Sequence, residues 1–157
     1  MIKKYITILL IFNSFLISGQ LAKEINIFHT DAVVQILNIV DDEVVAWGTG
    51  FIVDKKGIIV TNAHVIELAD KITIITKDQK EYEVTDYYAI NKVKDYAILK
   101  INNRSKKFPT VRLGNSDKSS IGDDIIAVGN PHGFLTHTLT KGIISSKRKF
   151  DNVDYLQ

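Results

Sequence analysis

Gly48-Thr49-Gly50-Phe51-Ile52-Val53-Asp54-Lys55-Lys56-Gly57-Ile58-Ile59-Val60-Thr61-Asn62-Ala63-His64-Val65 is the stretch whose reading decides the fold. Two β-branched runs flank Asp54-Lys55-Lys56-Gly57, a turn composition, so the segment predicts a hairpin with Ile58–Thr61 as its return arm. Gly48 and Gly50 stand two apart and share one face of the first arm. On a strand, such glycines mark a sharp bend of the sheet or the close approach of another backbone. The small neighbours in Asn62-Ala63-His64 suit a tight turn at the rim of a barrel.

Working outward, Ala32–Val40, Val44–Val53, Lys71–Thr76, part of Glu81–Ala89, Tyr96–Ile101, Ile121–Val128 and Thr138–Ser145 read as further short strands. Residues 22–31 are mixed and polar, enough for one short helix. No repeat, low-complexity tract or linker separates these runs. Short strands at this spacing without intervening helices predict an all-β sandwich or barrel, and period alone does not choose between them.

Composition narrows the function classes. The chain has 157 residues, 45% of them hydrophobic and 24% charged, which permits one ordinary domain with a real core. The absence of cysteine rules out disulfides, thiolate metal sites and a cysteine nucleophile. Without Lys3 and Lys4 the basic count falls from 20 to 18, equal to the 18 acidic residues, so nothing points to nucleic acid or an anionic membrane as partner.

Lys3 and Lys4 precede Ile6–Ile17 (ITILLIFNSFLI), and the small residues Ser18 and Gly19 follow. A basic start, a short apolar run and small residues are the layout of a secretory signal peptide, here residues 1–20. The apolar run is too short to cross a bilayer comfortably. The expected location is therefore exported, periplasmic or secreted, with no stable membrane span once the signal is removed.

His64 and Asp95 become candidates for chemistry only in the company of the segments around them. A general base for acyl transfer should titrate near neutrality, which favours histidine, and a carboxylate must hold it in one tautomer. His64 follows the hairpin; Asp95 precedes Tyr96-Ala97-Ile98-Leu99-Lys100, a mostly apolar strand that places a carboxylate at the edge of a core. A rim histidine or an aspartate before a strand is, taken alone, an ordinary loop residue. His132 and His137 invite a metal site with His64, but there is no cysteine, no H-E-x-x-H pattern and no carboxylate at helical spacing from them. No metal or other cofactor is expected. His29 has no assignment, and Asn130-Pro131 reads as a structural turn after Gly129.

Taken together with Gly122-Asp123-Asp124-Ile125-Ile126-Ala127-Val128-Gly129-Asn130-Pro131-His132-Gly133 and Thr138-Leu139-Thr140-Lys141-Gly142-Ile143-Ile144-Ser145, these segments resemble the HtrA (Deg) branch of the trypsin-like serine peptidases. That branch carries, in the same order, G-[ST]-G-F, V-T-N-x-H-V, D-x-A-[IVL]-L-K, a G-N-P-x-G segment and T-x-[TS]-x-G-[IV]-[IV]-S. The resemblance runs from about Ala32 to Gln157. It implies a chymotrypsin-like double β-barrel: residues 21–157 form a C-terminally incomplete peptidase domain, with 30–108 a complete first barrel and 109–157 the start of the second. It also implies His64 as base, Asp95 as its orienter, and polypeptide substrates that are exported or unfolded. A homo-oligomeric full-length parent is compatible with it.

The same resemblance places the serine nucleophile and its oxyanion hole in a G-N-S-G-G stretch beyond Gln157. Ser105, Ser116, Ser119, Ser120, Ser145 and Ser146 all lack a G-x-S-G context. The chain as it stands is expected to be an inactive peptidase fragment. The alternative, from another class, is a non-catalytic binding module on a peptidase fold, but such a module has no physical need for the His64–Asp95 pair.

Overall fold

Six strands close on themselves, and the hairpin around Asp54–Gly57 is one joint of that closure. The computed structural model describes residues 30–67, 69–102, 107–130, 137–150 and 153–157. Strands β1 (Val33–Val40), β2 (Glu43–Asp54), β3 (Ile58–Thr61), β4 (Lys71–Ile75), β5 (Glu81–Asn91) and β6 (Tyr96–Ile101) form a closed barrel in the order β1-β2-β3-β6-β5-β4. All neighbours are antiparallel, and β1 against β4 seals the ring.

Alternation decides what fills the barrel. Every second residue of β3 and β6 is buried, so Ile59, Ala97, Leu99 and Ile101 point inward with Val34, Ile36, Ile52, Ile72 and Ile74. Each such valine, isoleucine or leucine side chain taken from water stabilises the fold by roughly 1.5–3 kcal/mol before chain entropy is charged against it. Gly50 is glycine because the interior leaves no room: an added Cβ would lie 2.9 Å from Ile36 Cδ1 and 3.2 Å from the Val60 carbonyl oxygen.

Local chemistry sets the turns. Gly57 has φ +88°, its N–H donates to the Asp54 carbonyl at 2.9 Å, and Lys56 N–H donates to Asp54 Oδ1 at 2.7 Å. The β1–β2 loop is Asp41-Asp42, both left-handed (φ 51° and 63°), as a two-residue hairpin of this twist requires. After β6 the chain returns along the barrel. Phe108 N–H donates to the Lys55 carbonyl, Val111 N–H to that of Ile52, and the buried Phe108 ring meets Tyr82 edge-on at 5.2 Å.

Two hairpins follow: β7 (Asp124–Gly129) with β8 (Thr138–Ile143), and β9 (Lys147–Phe150) with β10 (Val153–Leu156). The architecture is thus all-β, a closed six-stranded barrel followed by two two-stranded hairpins.

A polar knot docks the first of these hairpins on the barrel. Asn130, only 4% exposed, donates from its backbone N–H to Thr49 Oγ1 (2.8 Å) and from Nδ2 to the Val34 carbonyl (3.0 Å). Its Oδ1 accepts from the His137 backbone N–H at 2.8 Å, and His137 Nε2 donates to the Val33 carbonyl at 3.2 Å. His137 itself has φ +58°.

Some strand limits differ from the sequence reading. The run expected from Ile121 starts at Asp124, because Ser120–Asp123 is a turn: Asp123 N–H bonds to the Ser120 carbonyl, Ser120 N–H to Asp123 Oδ2, and Gly122 has φ +95°. β5 runs on to Asn91 through two register shifts. Thr30–Ala32 is a 3-10 turn, while residues 1–29, and with them the signal segment and His29, lie outside the described residues. The β9–β10 hairpin was not anticipated, since Lys147-Arg148-Lys149 carries no apolar alternation.

Candidate active site

His64 lies on a short 3-10 turn, Ala63–Ile66, immediately after β3. The turn's own ladder includes Val65 N–H to the Asn62 carbonyl at 3.2 Å. Ala63 and Ile66 are buried, which seats the turn on the end of the barrel and leaves His64 facing outward. Gly48 makes room for it. A Cβ at Gly48 would run into both methyls of Val65, with Cγ2 at 2.9 Å. The close approach anticipated at this glycine is therefore made by the side chain next to His64 rather than by a backbone.

Gly48→Ala tests this packing. In an ordinary strand interior, replacing glycine by alanine gains about 0.5–1 kcal/mol. Here overpacking should instead cost about 1–3 kcal/mol. The expected reading is a lower urea midpoint at unchanged slope; a raised midpoint would show that Val65 yields freely.

Asp95 is the last residue of the β5–β6 connection, one position before β6 begins. Its φ is +51°, a left-handed conformation that aspartate tolerates better than most residues. The turn before it is closed by Lys94 N–H donating to Asn91 Oδ1 at 2.8 Å, and Lys92 pairs with Glu67 across the rim at 2.6 Å.

β3 and β6 are neighbours in the barrel, so residues 31 apart in sequence meet at one end of it. His64 Nδ1 lies 2.7 Å from Asp95 Oδ2, and the His64 backbone N–H donates to Asp95 Oδ1 at 3.0 Å. A carboxylate can only accept, so Nδ1 carries a proton, and in the neutral ring the lone pair lies on Nε2. The backbone N–H of His64 foremost, with its imidazole and the Asn62 carboxamide, holds the Asp95 carboxyl below its ordinary 3.8 against a smaller opposing effect of desolvation. A depressed carboxyl stabilises the fold above its ordinary value and loses that contribution as pH falls through the folded one. The link is thus complete at neutral pH and is released only in acid. The two side chains are 66% and 41% exposed, open to a reactant.

Asn62 is a third participant that the sequence reading treated only as a small neighbour of His64. Its Nδ2 donates to both the Asp95 carbonyl (3.1 Å) and Asp95 Oδ2 (3.2 Å). A carboxamide beside a histidine, in a chain with a distant acidic partner, was the available signal; the partner's identity was not.

The other candidates lie elsewhere. His137 is engaged with β1, His132 lies outside the described residues, and no group of three or more potential metal ligands occurs among the described residues. The hydroxyls of Ser145 and Ser146 donate to the Gln157 carbonyl and Oε1 at 3.1 and 2.9 Å. No helix among the described residues is long and apolar enough to cross a membrane.

Comparison with known proteins bears on this geometry. Residues 48–157 match the family described as "Trypsin-like peptidase domain". A "Probable periplasmic serine endoprotease DegP-like" of Pseudomonas fulva is 40% identical over 110 residues, covering 69% of this chain and 22% of that protein. One of the same description from Rickettsia conorii is 43% identical over 107 residues, covering 68% and 21%. The crystal structure of the serine endoprotease from Yersinia pestis superposes with a TM-score of 0.71 at 30% identity, over 80% of this chain and 44% of that one. The chain thus spans about a fifth of the length of these curated relatives. With the match covering residues 48–157 and a closed barrel to go with it, the chain belongs to the trypsin-like peptidase domain family.

Proposed function

We propose that this chain carries the base and its orienter of an HtrA-like serine endopeptidase that hydrolyses exported or unfolded polypeptides. One observation carries the reading: the 2.7 Å contact between His64 Nδ1 and Asp95 Oδ2, which leaves Nε2 free to accept a proton. In acyl transfer Nε2 would take the proton of a serine hydroxyl as it attacks the scissile carbonyl, then return it to the leaving amine. Asp95 would hold the imidazole in the required tautomer and stabilise the imidazolium.

No serine of residues 1–157 stands in a G-x-S-G setting. Residues 1–157 by themselves are therefore proposed to be inactive. In this reading residues 30–108 form the first barrel, 109–157 begin the second, and residues 1–20 are removed on export to the periplasm or beyond. Periplasmic relatives support the location.

The test compares the exported 157-residue chain with a longer one continued through a G-N-S-G-G loop to the end of the second barrel. Both are treated with a serine-directed phosphonate and with unfolded casein, and the N-terminus of the exported material is sequenced. Labelling and cleavage by the longer chain alone are expected, with Met1 absent. Cleavage by the 157-residue chain, abolished by His64→Ala, would place the nucleophile within it. Inactivity of a well-folded longer chain would favour a binding module, and an intact Met1 would overturn signal removal.

A further inference from the structure

We propose that Asn62 is a positioning residue of this site: it clamps Asp95 by main chain and side chain at once, and so sets the imidazole tautomer of His64 without touching the ring. The proposal rests on the reading of His64 as the base.

Asn62 occupies the N-cap of the His64 turn, with φ −77° and ψ 147°. Asparagine at that position ordinarily turns its side-chain oxygen back onto a backbone N–H of its own first turn. Here it makes no such bond. Its carboxamide instead reaches 33 residues along the chain, and Nδ2 donates to the Asp95 carbonyl and to Oδ2. The N–H of the His64 turn finds its acceptor in Asp95 Oδ1. Asp95 thus supplies to the His64 turn the capping acceptor that the Asn62 side chain does not, from a segment joined to that turn only by the barrel.

The consequence for the ring follows from which oxygen is held. Oδ2 is the atom that receives His64 Nδ1–H. An aspartate in a left-handed turn, with a side chain 41% exposed, has rotamers that would turn Oδ2 toward water. Donation from one amide to both the carbonyl and Oδ2 ties the carboxylate to its own backbone and limits that rotation. Because these bonds lie at the surface, their loss should cost little global stability. The effect should fall on the histidine tautomer, a quantity that a purely structural role would not move.

The test uses the full 157-residue chain labelled with 15N in histidine and asparagine and 13C in aspartate, observed by NMR. In Asn62→Leu the ratio of Nδ1–H to Nε2–H tautomer at His64 should fall roughly three- to tenfold, the factor that one net hydrogen bond supplies. The Asp95 13Cγ titration should move upward, while the unfolding midpoint changes little. Asp95→Asn serves as reference. If it shifts the tautomer ratio and Asn62→Leu does not, the clamp is refuted while the base assignment stands. If neither variant shifts the ratio, the base assignment fails and the clamp with it. Should Asn62→Leu not fold, the unaltered chain decides: the Asn62 Nδ2–H resonances should follow the Asp95 titration, and resonances that stay flat through it would overturn the proposal.

Discussion

Asp95→Asn, made in a chain continued through the nucleophile loop, is expected to lower kcat by about four orders of magnitude, the cost of the same change in related triads. The reason lies in donor and acceptor counting. Asp95 accepts on both oxygens: Oδ1 from the His64 backbone N–H, Oδ2 from His64 Nδ1 and Asn62 Nδ2. A carboxamide has only one acceptor atom. If its oxygen meets the His64 N–H, its NH2 group faces both Nδ1 and the Asn62 NH2 group. Nδ1 must then act as acceptor, the proton moves to Nε2, and the ring can no longer take one from a serine. If the carboxamide turns over, the His64 N–H loses its partner and the turn carrying the ring is loosened. Either way the negative charge opposite the imidazolium is gone. Steady-state kinetics on an unfolded polypeptide should show the loss in kcat with KM nearly unchanged, the pattern of an interaction made in the transition state. A decrease of less than about tenfold would remove Asp95 from the mechanism.

The second large effect is expected at Asn130, where one carboxamide joins the β7–β8 hairpin to the first barrel. Asn130→Leu keeps the branched heavy-atom skeleton, with bulkier methyl groups in place of the amide oxygen and nitrogen, and deletes both side-chain hydrogen bonds. The His137 N–H and the Val34 carbonyl then lose Oδ1 and Nδ2. An orphaned buried group costs about 1–3 kcal/mol, so losing both bonds should weaken docking by roughly 2–6 kcal/mol. Asn130→Asp separates the two bonds: it preserves the acceptor for His137 but sets an oxygen against the Val34 carbonyl.

Amide hydrogen exchange reads the result element by element. Protection of Ile125–Val128 and Leu139–Gly142 should fall about thirtyfold or more in Asn130→Leu, at about 1.4 kcal/mol per factor of ten. The barrel core at Ile36, Ile59 and Leu99 should keep its protection. Equal losses in both regions would mean that Asn130 supports the whole fold; no loss in the hairpin would mean that it is held by other contacts.

What the sequence by itself determined was whatever depends on near neighbours. The hairpin at Asp54–Gly57 was legible because a left-handed glycine and an aspartate side chain close that turn within four residues. The inward faces of β3 and β6 were legible because alternation is a property of one strand. His64 and Asp95 could be chosen as candidates by residue type and flanking pattern. The tertiary structure alone decided which strands meet: β3 lies beside β6 and β1 beside β4, so closure brings the two candidates to one end of one barrel. It also decided that Gly48 is needed for Val65, that Asn62 turns away from its own helix cap to Asp95, and that Asn130 and His137 bind β1 from about a hundred residues away. A polar side chain carries its donors and acceptors in its formula, but its partner is fixed only when loops of 30 to 100 residues have closed, and that closure is governed by burial of the whole apolar set rather than by any local pattern.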